Sequence, residues 1–192
     1  MWNNRVSILK SFAAGIFVFV LLIMSGSVVQ ASEFDHQAEV YPSGEDFWLT
    51  QKGDYFAADV KNNRGYFIHP NGTSYEFPII TGQRRYVYYI GRYYFAGTPV
   101  RSWEIDLDVE IKDDKVTFGS TGRFFRLFDH GKSSSYGIHG HRNFQAMLDS
   151  GDLYRSMGCI IVPEPILDIF QKVYDHNGGM IRVETFEGTE IS

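Results

Sequence analysis

The chain of 192 residues carries 18 basic and 23 acidic side chains, a formal net charge of −5, and one cysteine. An acidic balance without a Lys/Arg block argues against nucleic acid and anionic membrane surfaces as partners, and a lone cysteine excludes an internal disulfide. The length suits one domain with a proper core, and the 12 Tyr and 16 Phe favour pleated, half-buried surfaces.

Residues 1–31 read as an export signal. Arg5 and Lys10 precede an apolar run over 12–24, then Ser25-Gly26-Ser27 and Val29-Gln30-Ala31. This is a basic start, an apolar stretch and a cleavage site, predicting a cut between Ala31 and Ser32. The competing reading is an uncleaved anchor, because apolar character runs on to Val29; membrane contact is then expected only through this segment. In both readings the basic start stays inside and the remainder is exported. Residues 32–192 are expected to form a single domain, and loss of Arg5 and Lys10 moves the balance from −5 to −7.

The body is predicted to be mainly β. Apolar runs at 47–49 and 55–60 flank Lys52-Gly53-Asp54, and runs at 65–68 and 75–80 flank the turn Pro70-Asn71-Gly72. An aromatic strand over 86–94 is broken at Gly91; it is read as sheet packing in preference to a platform for sugar rings. Residues 103–111 alternate Trp-x-Ile-x-Leu-x-Val-x-Ile, predicting a strand with one face on a core. Asp113-Asp114 turns the chain into short strands at 116–118 and 123–128. A short helix is expected over 143–149. A second helix opens at Pro163 and Pro165, carries apolar residues at 3–4 spacing over 166–174, and ends at Asn177-Gly178-Gly179. A last strand follows at 180–186.

The densest chemistry lies in Tyr136-Gly137-Ile138-His139-Gly140-His141 and, fourteen residues on, Ser156-Met157-Gly158-Cys159-Ile160-Ile161-Val162. A lone thiol in an exported chain is a buried inert group, an intermolecular link or a reactive group. A histidine on a neighbouring segment is the usual means of activating it. Gly158 allows close backbone approach, and 160–162 reads as a buried strand that holds the cysteine. A metal site from His139, His141 and Cys159 is compatible in ligand type, but no further His or Cys lies close in sequence, and neither metal nor cofactor is expected. Arg142 and Arg155 suit a substrate carboxylate, although solvated surface is the default for Arg.

These residues resemble the L,D-transpeptidase catalytic domain family. Ile138-His139-Gly140 and Ser156-Met157-Gly158-Cys159-Ile160 look like its two signature segments, with sixteen residues between His139 and Ser156. Upstream, Phe67-Ile68, Asn71-Gly72, Pro78-Ile79-Ile80-Thr81-Gly82 and Thr98-Pro99 are similar to the family's strand, turn, Thr-Gly strand and Thr-Pro segment. The resemblance covers 64–184. It implies a β-sandwich-like mixed sheet with a few short flanking helices. It also implies cysteine acyl transfer between peptidoglycan stem peptides, giving 3→3 cross-links in the periplasm or outer cell wall. Cys159 becomes the nucleophile, His139 the base, and the Gly140 carbonyl the group that orients the ring. The N–H groups around Gly158 and Cys159 become the oxyanion hole, and Ser156 a turn or hydrogen-bonding residue. Two positions depart from the pattern: Met157 stands where the family has a second His, and Ile161 where it has Arg or Asn. His141 is expected to supply part of what Met157 lacks. Alternatives are an L,D-carboxypeptidase, with water as acceptor, and a wall-binding scaffold whose site has decayed.

Overall fold

The computed structural model describes residues 48–188; the expected export signal and its cleavage site lie outside them. The strands are β1 (Tyr55–Asp59), β2 (Arg64–Ile68), β3 (Ser74–Pro78), β4 (Thr81–Gly82), β5 (Tyr86–Tyr89), β6 (Arg92–Phe95), β7 (Ser102–Ile105), β8 (Glu110–Ile111), β9 (Arg123–Asp129) and β10 (Lys132–His139). Helix α1 (Phe144–Asp149), β11 (Tyr154–Ser156), β12 (Ile160–Ile161), α2 (Glu164–His176) and β13 (Ile181–Phe186) complete the order.

One mixed sheet runs β12-β10-β9-β7-β13-β1-β2-β3, with β8 paired to β9 off this path. Most neighbours are antiparallel, but β13 runs parallel to β1 and β12 parallel to β10. Each parallel pair needs a crossover. Helix α2 lies between β12 and β13, so it carries the chain from one end of the sheet back to its middle. Its apolar stripe, Ile166, Leu167, Ile169, Phe170 and Val173, is buried in the main core with Phe56, Phe67, Phe125 and Ile138. The ring of Phe170 meets Phe67 at 4.8 Å, Phe56 at 4.9 Å and Phe125 at 5.5 Å between centroids. Pro165 sits in the helix's first turn, where its missing N–H costs nothing. The helix ends ahead of Gly178 and Gly179, both at positive φ.

Three sequence expectations give way to local chemistry. No strand forms at 48–50, and Phe47 lies outside the described residues. The alternating run 103–111 divides into β7 and β8, because Trp103 and Ile105 face the core while Leu107 is exposed. Residues 116–118 are a turn, since Asp114 Oδ1 accepts the N–H groups of Val116 and Thr117 and offers the backbone an alternative to a ladder. Strand β10 was not anticipated: Lys132-Ser133-Ser134-Ser135 carries no apolar alternation, and its register shifts between Ser133 and Gly137.

Truncating Phe170 to Ala leaves a cavity at the junction of helix and sheet, with an expected loss of about 3–5 kcal/mol. Urea unfolding of the Phe170→Ala variant checks this; a loss under about 1 kcal/mol contradicts the packing described.

Candidate active site

The site is built on one row of the sheet. In β12, Ile160 pairs with Ile138 and Ile161 with His139, so Cys159, one residue earlier, extends that register to Gly137. On the other side of β10, Gly137 pairs with Arg126 and His139 with Phe124. Side chains alternate along a strand. Positions 137 and 139 therefore share one face with Arg126 and Phe124, while Ile138 and Phe125 point into the core.

Glycine is required at the centre of this row. A Cβ on Gly137 would lie 2.2 Å from the ring of Phe124. Gly158 has φ +115°, and its Cβ would come within 2.4 Å of the Tyr136 ring. Ser156 closes the loop between them. Its hydroxyl donates to the Cys159 carbonyl at 2.6 Å and accepts the Gly158 N–H at 3.0 Å. The Tyr94 hydroxyl donates to the Met157 carbonyl at 3.2 Å, tying β6 to the same loop.

His139 is buried. Its Nδ1 lies 2.6 Å from the Gly140 carbonyl oxygen; a carbonyl only accepts, so Nδ1 carries the proton and Nε2 of the neutral ring is a free base. The ring packs against Phe118 at 5.0 Å and Phe124 at 5.8 Å. Burial pushes its pKa down to about 4, against the opposing pull of the Gly140 and Thr117 carbonyls. Gly140 is confined as well: a Cβ there would lie 2.7 Å from Glu164 Oε1. That oxygen is buried without a hydrogen-bond partner, while Oε2 accepts from Thr121 at 2.9 Å.

Cys159 is partly exposed. Burial nonetheless pushes its thiol up to about 11, with the Gly137 N–H and the Arg126 charge acting in the opposite direction. Burial thus favours the neutral thiol. Desolvation outweighs the donors and charge around it. Arg126 is held by Glu110, at 2.5 Å and 3.0 Å, and by the Ser134 carbonyl at 2.7 Å. Its guanidinium holds the Glu110 carboxyl down to about 2. Sequence spacing did not mark Phe118, Phe124, Arg126 and Glu110, because the ladder between β9 and β10 brings Phe124 and Arg126 to the site, the pairing of β8 with β9 brings Glu110, and Phe118 comes from the turn ahead of β9.

The remaining expected residues divide. His141 Nδ1 accepts the Asn143 N–H at 3.0 Å just ahead of α1, a main-chain bond that fixes its ring. Arg155 is exposed and pairs with Asp152 at 3.3 Å, and Arg142 is exposed with no ion pair among the described residues. Met157 is exposed, with Gln83 Nε2 3.5 Å from its sulfur. Ile161 is buried against Ile80 and Phe144, so an apolar contact takes the place of a polar site residue. No group of three metal-ligating side chains occurs among the described residues.

The partly exposed thiol of Cys159 stands next to the strand that carries His139. The L,D-transpeptidase catalytic domain profile matches residues 53–190, and the chain belongs to that family. No curated protein matches. Among solved structures, an L,D-transpeptidase from Xylanimonas cellulosilytica is similar at 16% identity and a TM-score of 0.51, over 72% of this chain and 63% of that one. The catalytic domain of an Enterococcus faecium L,D-transpeptidase is similar at 17% identity and 0.44, over 71% and 98%. The helical cell shape determining protein Pgp2 from Campylobacter jejuni is similar at 21% identity and 0.45, over 72% and 51%. The chain spans less than two thirds of the Xylanimonas structure. The Xylanimonas likeness is one of fold.

The depressed pKa of His139 makes the folded state sensitive to acid. A ring with an ordinary pKa of 6.5 when unfolded and about 4 when folded contributes stability that is fully present above 6.5 and lost as pH falls to about 4. The expected contribution is up to about 3 kcal/mol. A His139→Gln variant should show a flatter stability profile between pH 6.5 and 4 in urea titrations. An unchanged slope contradicts a buried neutral ring.

Proposed function

We propose that the protein is a peptidoglycan L,D-transpeptidase in which Cys159 is the nucleophile and His139 the general base. The observation that carries the reading is the ladder between β10 and β12, which sets Cys159 beside Gly137 on the face of His139. It is joined by the Nδ1 contact with Gly140, which leaves Nε2 able to accept a proton. The same reading places residues 32–192 outside the cytoplasm, behind a cleaved leader or an anchor over 1–31.

Because thiol and imidazole are both neutral at rest, ionisation coincides with attack. The sulfur bonds to the carbonyl carbon of the third stem residue as its proton passes to His139 Nε2, and the carbonyl π pair moves to oxygen. Collapse restores the carbonyl and breaks the C–N bond. The imidazolium then gives its proton to the departing amine of the terminal D-amino acid, leaving a thioester. A side-chain amine of a second stem resolves the thioester into a 3→3 cross-link and releases the thiol. Ser156 already takes the Gly158 N–H, so the oxyanion role falls to the Cys159 amide, with the guanidinium of Arg126 adding positive charge. His141, fixed through Nδ1, keeps Nε2 as a donor toward substrate in the place of the histidine that Met157 replaces.

Incubation with a tetrapeptide stem should give a mass adduct on Cys159 that is absent in Cys159→Ala. The His139→Ala variant should form it about 10²–10⁴-fold more slowly. An adduct that persists in Cys159→Ala, or none at all in the wild type, refutes the assignment. Amine capture, as against hydrolysis, separates transpeptidase from carboxypeptidase in the product.

The two pKa values also fix a pH profile. Acylation should be nearly flat from about pH 5 to 9, because His139 titrates at about 4 and Cys159 at about 11. It should fall toward acid as Nε2 takes up a proton. A profile rising through an inflection between pH 6 and 8 would indicate a preformed thiolate–imidazolium pair instead.

A further inference from the structure

Strands β5 and β6 form a two-stranded sheet apart from the large one, joined by Ile90-Gly91 with both residues at positive φ. The sequence suggested that these aromatics pack inside a sheet; the structure leaves them outside. Register sets Tyr86 opposite Phe95 and Tyr88 opposite Tyr93, so these four rings share one face. They are exposed by 77%, 49%, 63% and 77% respectively. Tyr86 meets Phe95 at 5.6 Å and Tyr88 meets Tyr93 at 4.9 Å, forming a continuous aromatic ladder. The opposite face holds Val87 and Tyr94, both partly buried, with the exposed pair Tyr89 and Arg92, and Tyr94 is the residue bonded to the Met157 carbonyl two positions before Cys159.

Charge singles out the same segment. Between Glu76 and Glu104 there is no acidic residue, yet four arginines, in a chain whose net charge is negative. Arg84 pairs with Glu187 and Arg101 with Asp129. Arg85 and Arg92 are exposed and have no acidic partner among the described residues. An exposed aromatic patch of this kind marks an interaction surface. Rings that carry hydroxyls present an apolar face with a polar tip, which suits the C–H faces and hydroxyls of pyranose rings better than it suits an aliphatic partner. Arg92, on the reverse face over the Tyr94 ring at 5.8 Å, and Arg85, one residue ahead of β5, suit carboxylates that reach past the edge of the hairpin.

We propose that the outer face of this hairpin binds the glycan strand of a carboxylate-bearing polysaccharide, with Tyr86, Tyr88, Tyr93 and Phe95 stacking on sugar rings, while its peptide branches pass the hairpin edge and meet Arg85 and, on the reverse face, Arg92 with their carboxylates. The proposal rests on the peptidoglycan reading above and deepens it. A strand held on this face is anchored to the element that touches the loop of Cys159, so its peptide branches are delivered to the thiol at raised local concentration.

The wild-type chain is titrated with soluble glycan strands stripped of peptide and with strands that retain it, following ring resonances of the four aromatics by NMR. Both ligands should shift these resonances, the intact strands binding about threefold tighter. The double variant Tyr86→Thr/Tyr93→Thr keeps β-favouring residues and should weaken both about tenfold. Arg85→Gln/Arg92→Gln should weaken only the intact strands. Absence of shifts in the wild type overturns the proposal irrespective of how any variant folds. Binding of anionic phospholipid vesicles without glycan binding, or self-association that buries the tyrosines, overturns it as well. Glycan binding without a Cys159 adduct would refute the transpeptidase reading alone, and an adduct without glycan binding would refute the platform alone.

Discussion

Two residues of parallel ladder, Ile160 with Ile138 and Ile161 with His139, hold the candidate site together. The segment that contributes the thiol and the segment that contributes the imidazole are joined by little else. Parallel pairing demands a crossover, and the chain meets it by looping through α1 and β11 before returning as β12. The isolated bridge between Ile80 and Ile161 secures the far side of that short strand. Immediately afterwards α2 begins, with Ile166 and Leu167 buried in the main core. A strand of two residues is thus pinned on both sides and at its exit, which is how so short an element can set a reactive side chain.

Desolvation shapes the chemistry of this site more than charge does. The same burial drives the imidazole toward its neutral form and the thiol toward its neutral form, so the two groups are matched at rest without being ionised. Local donors and acceptors work against this. Gly140 and Thr117 favour the charged ring, and Gly137 and Arg126 favour the charged sulfur. A site so arranged stores little charge until a substrate supplies an oxygen on which charge can develop. Arg126, fixed by Glu110 and the Ser134 carbonyl, is the one cation beside the sulfur that this arrangement keeps in place.

The two departures from the family pattern acquire a physical meaning in the fold. Ile161 is buried with Ile80 and Phe144 and contributes to a small apolar cluster on the far side of β12. Met157 points outward from a loop whose shape is set by Ser156 and Gly158. Ile161 also pairs with His139 in the ladder, so its apolar side chain stands on the face that carries the imidazole.

From residue order alone, the β-rich character, both helices and the membership of the family were legible, because each rests on local pattern or on a motif of fixed spacing. The break at Gly91 was legible for the same reason, but as an interruption of one strand over 86–94, not as the turn of a hairpin. Strand β10 was not, since its serine-rich start has no apolar period and it is a strand only because β9 and β12 supply its hydrogen bonds. Nor were Arg126, Glu110 and Phe124, which reach the site across ladders that no sequence spacing encodes, or Phe118, which reaches it from a turn. The aromatic run over 86–95 shows the division most plainly. Its composition specifies strand, but whether its rings pack inward or face solvent depends on which face the rest of the fold covers. Burial is a property of neighbours, and neighbours distant in sequence are chosen only when the chain closes on itself.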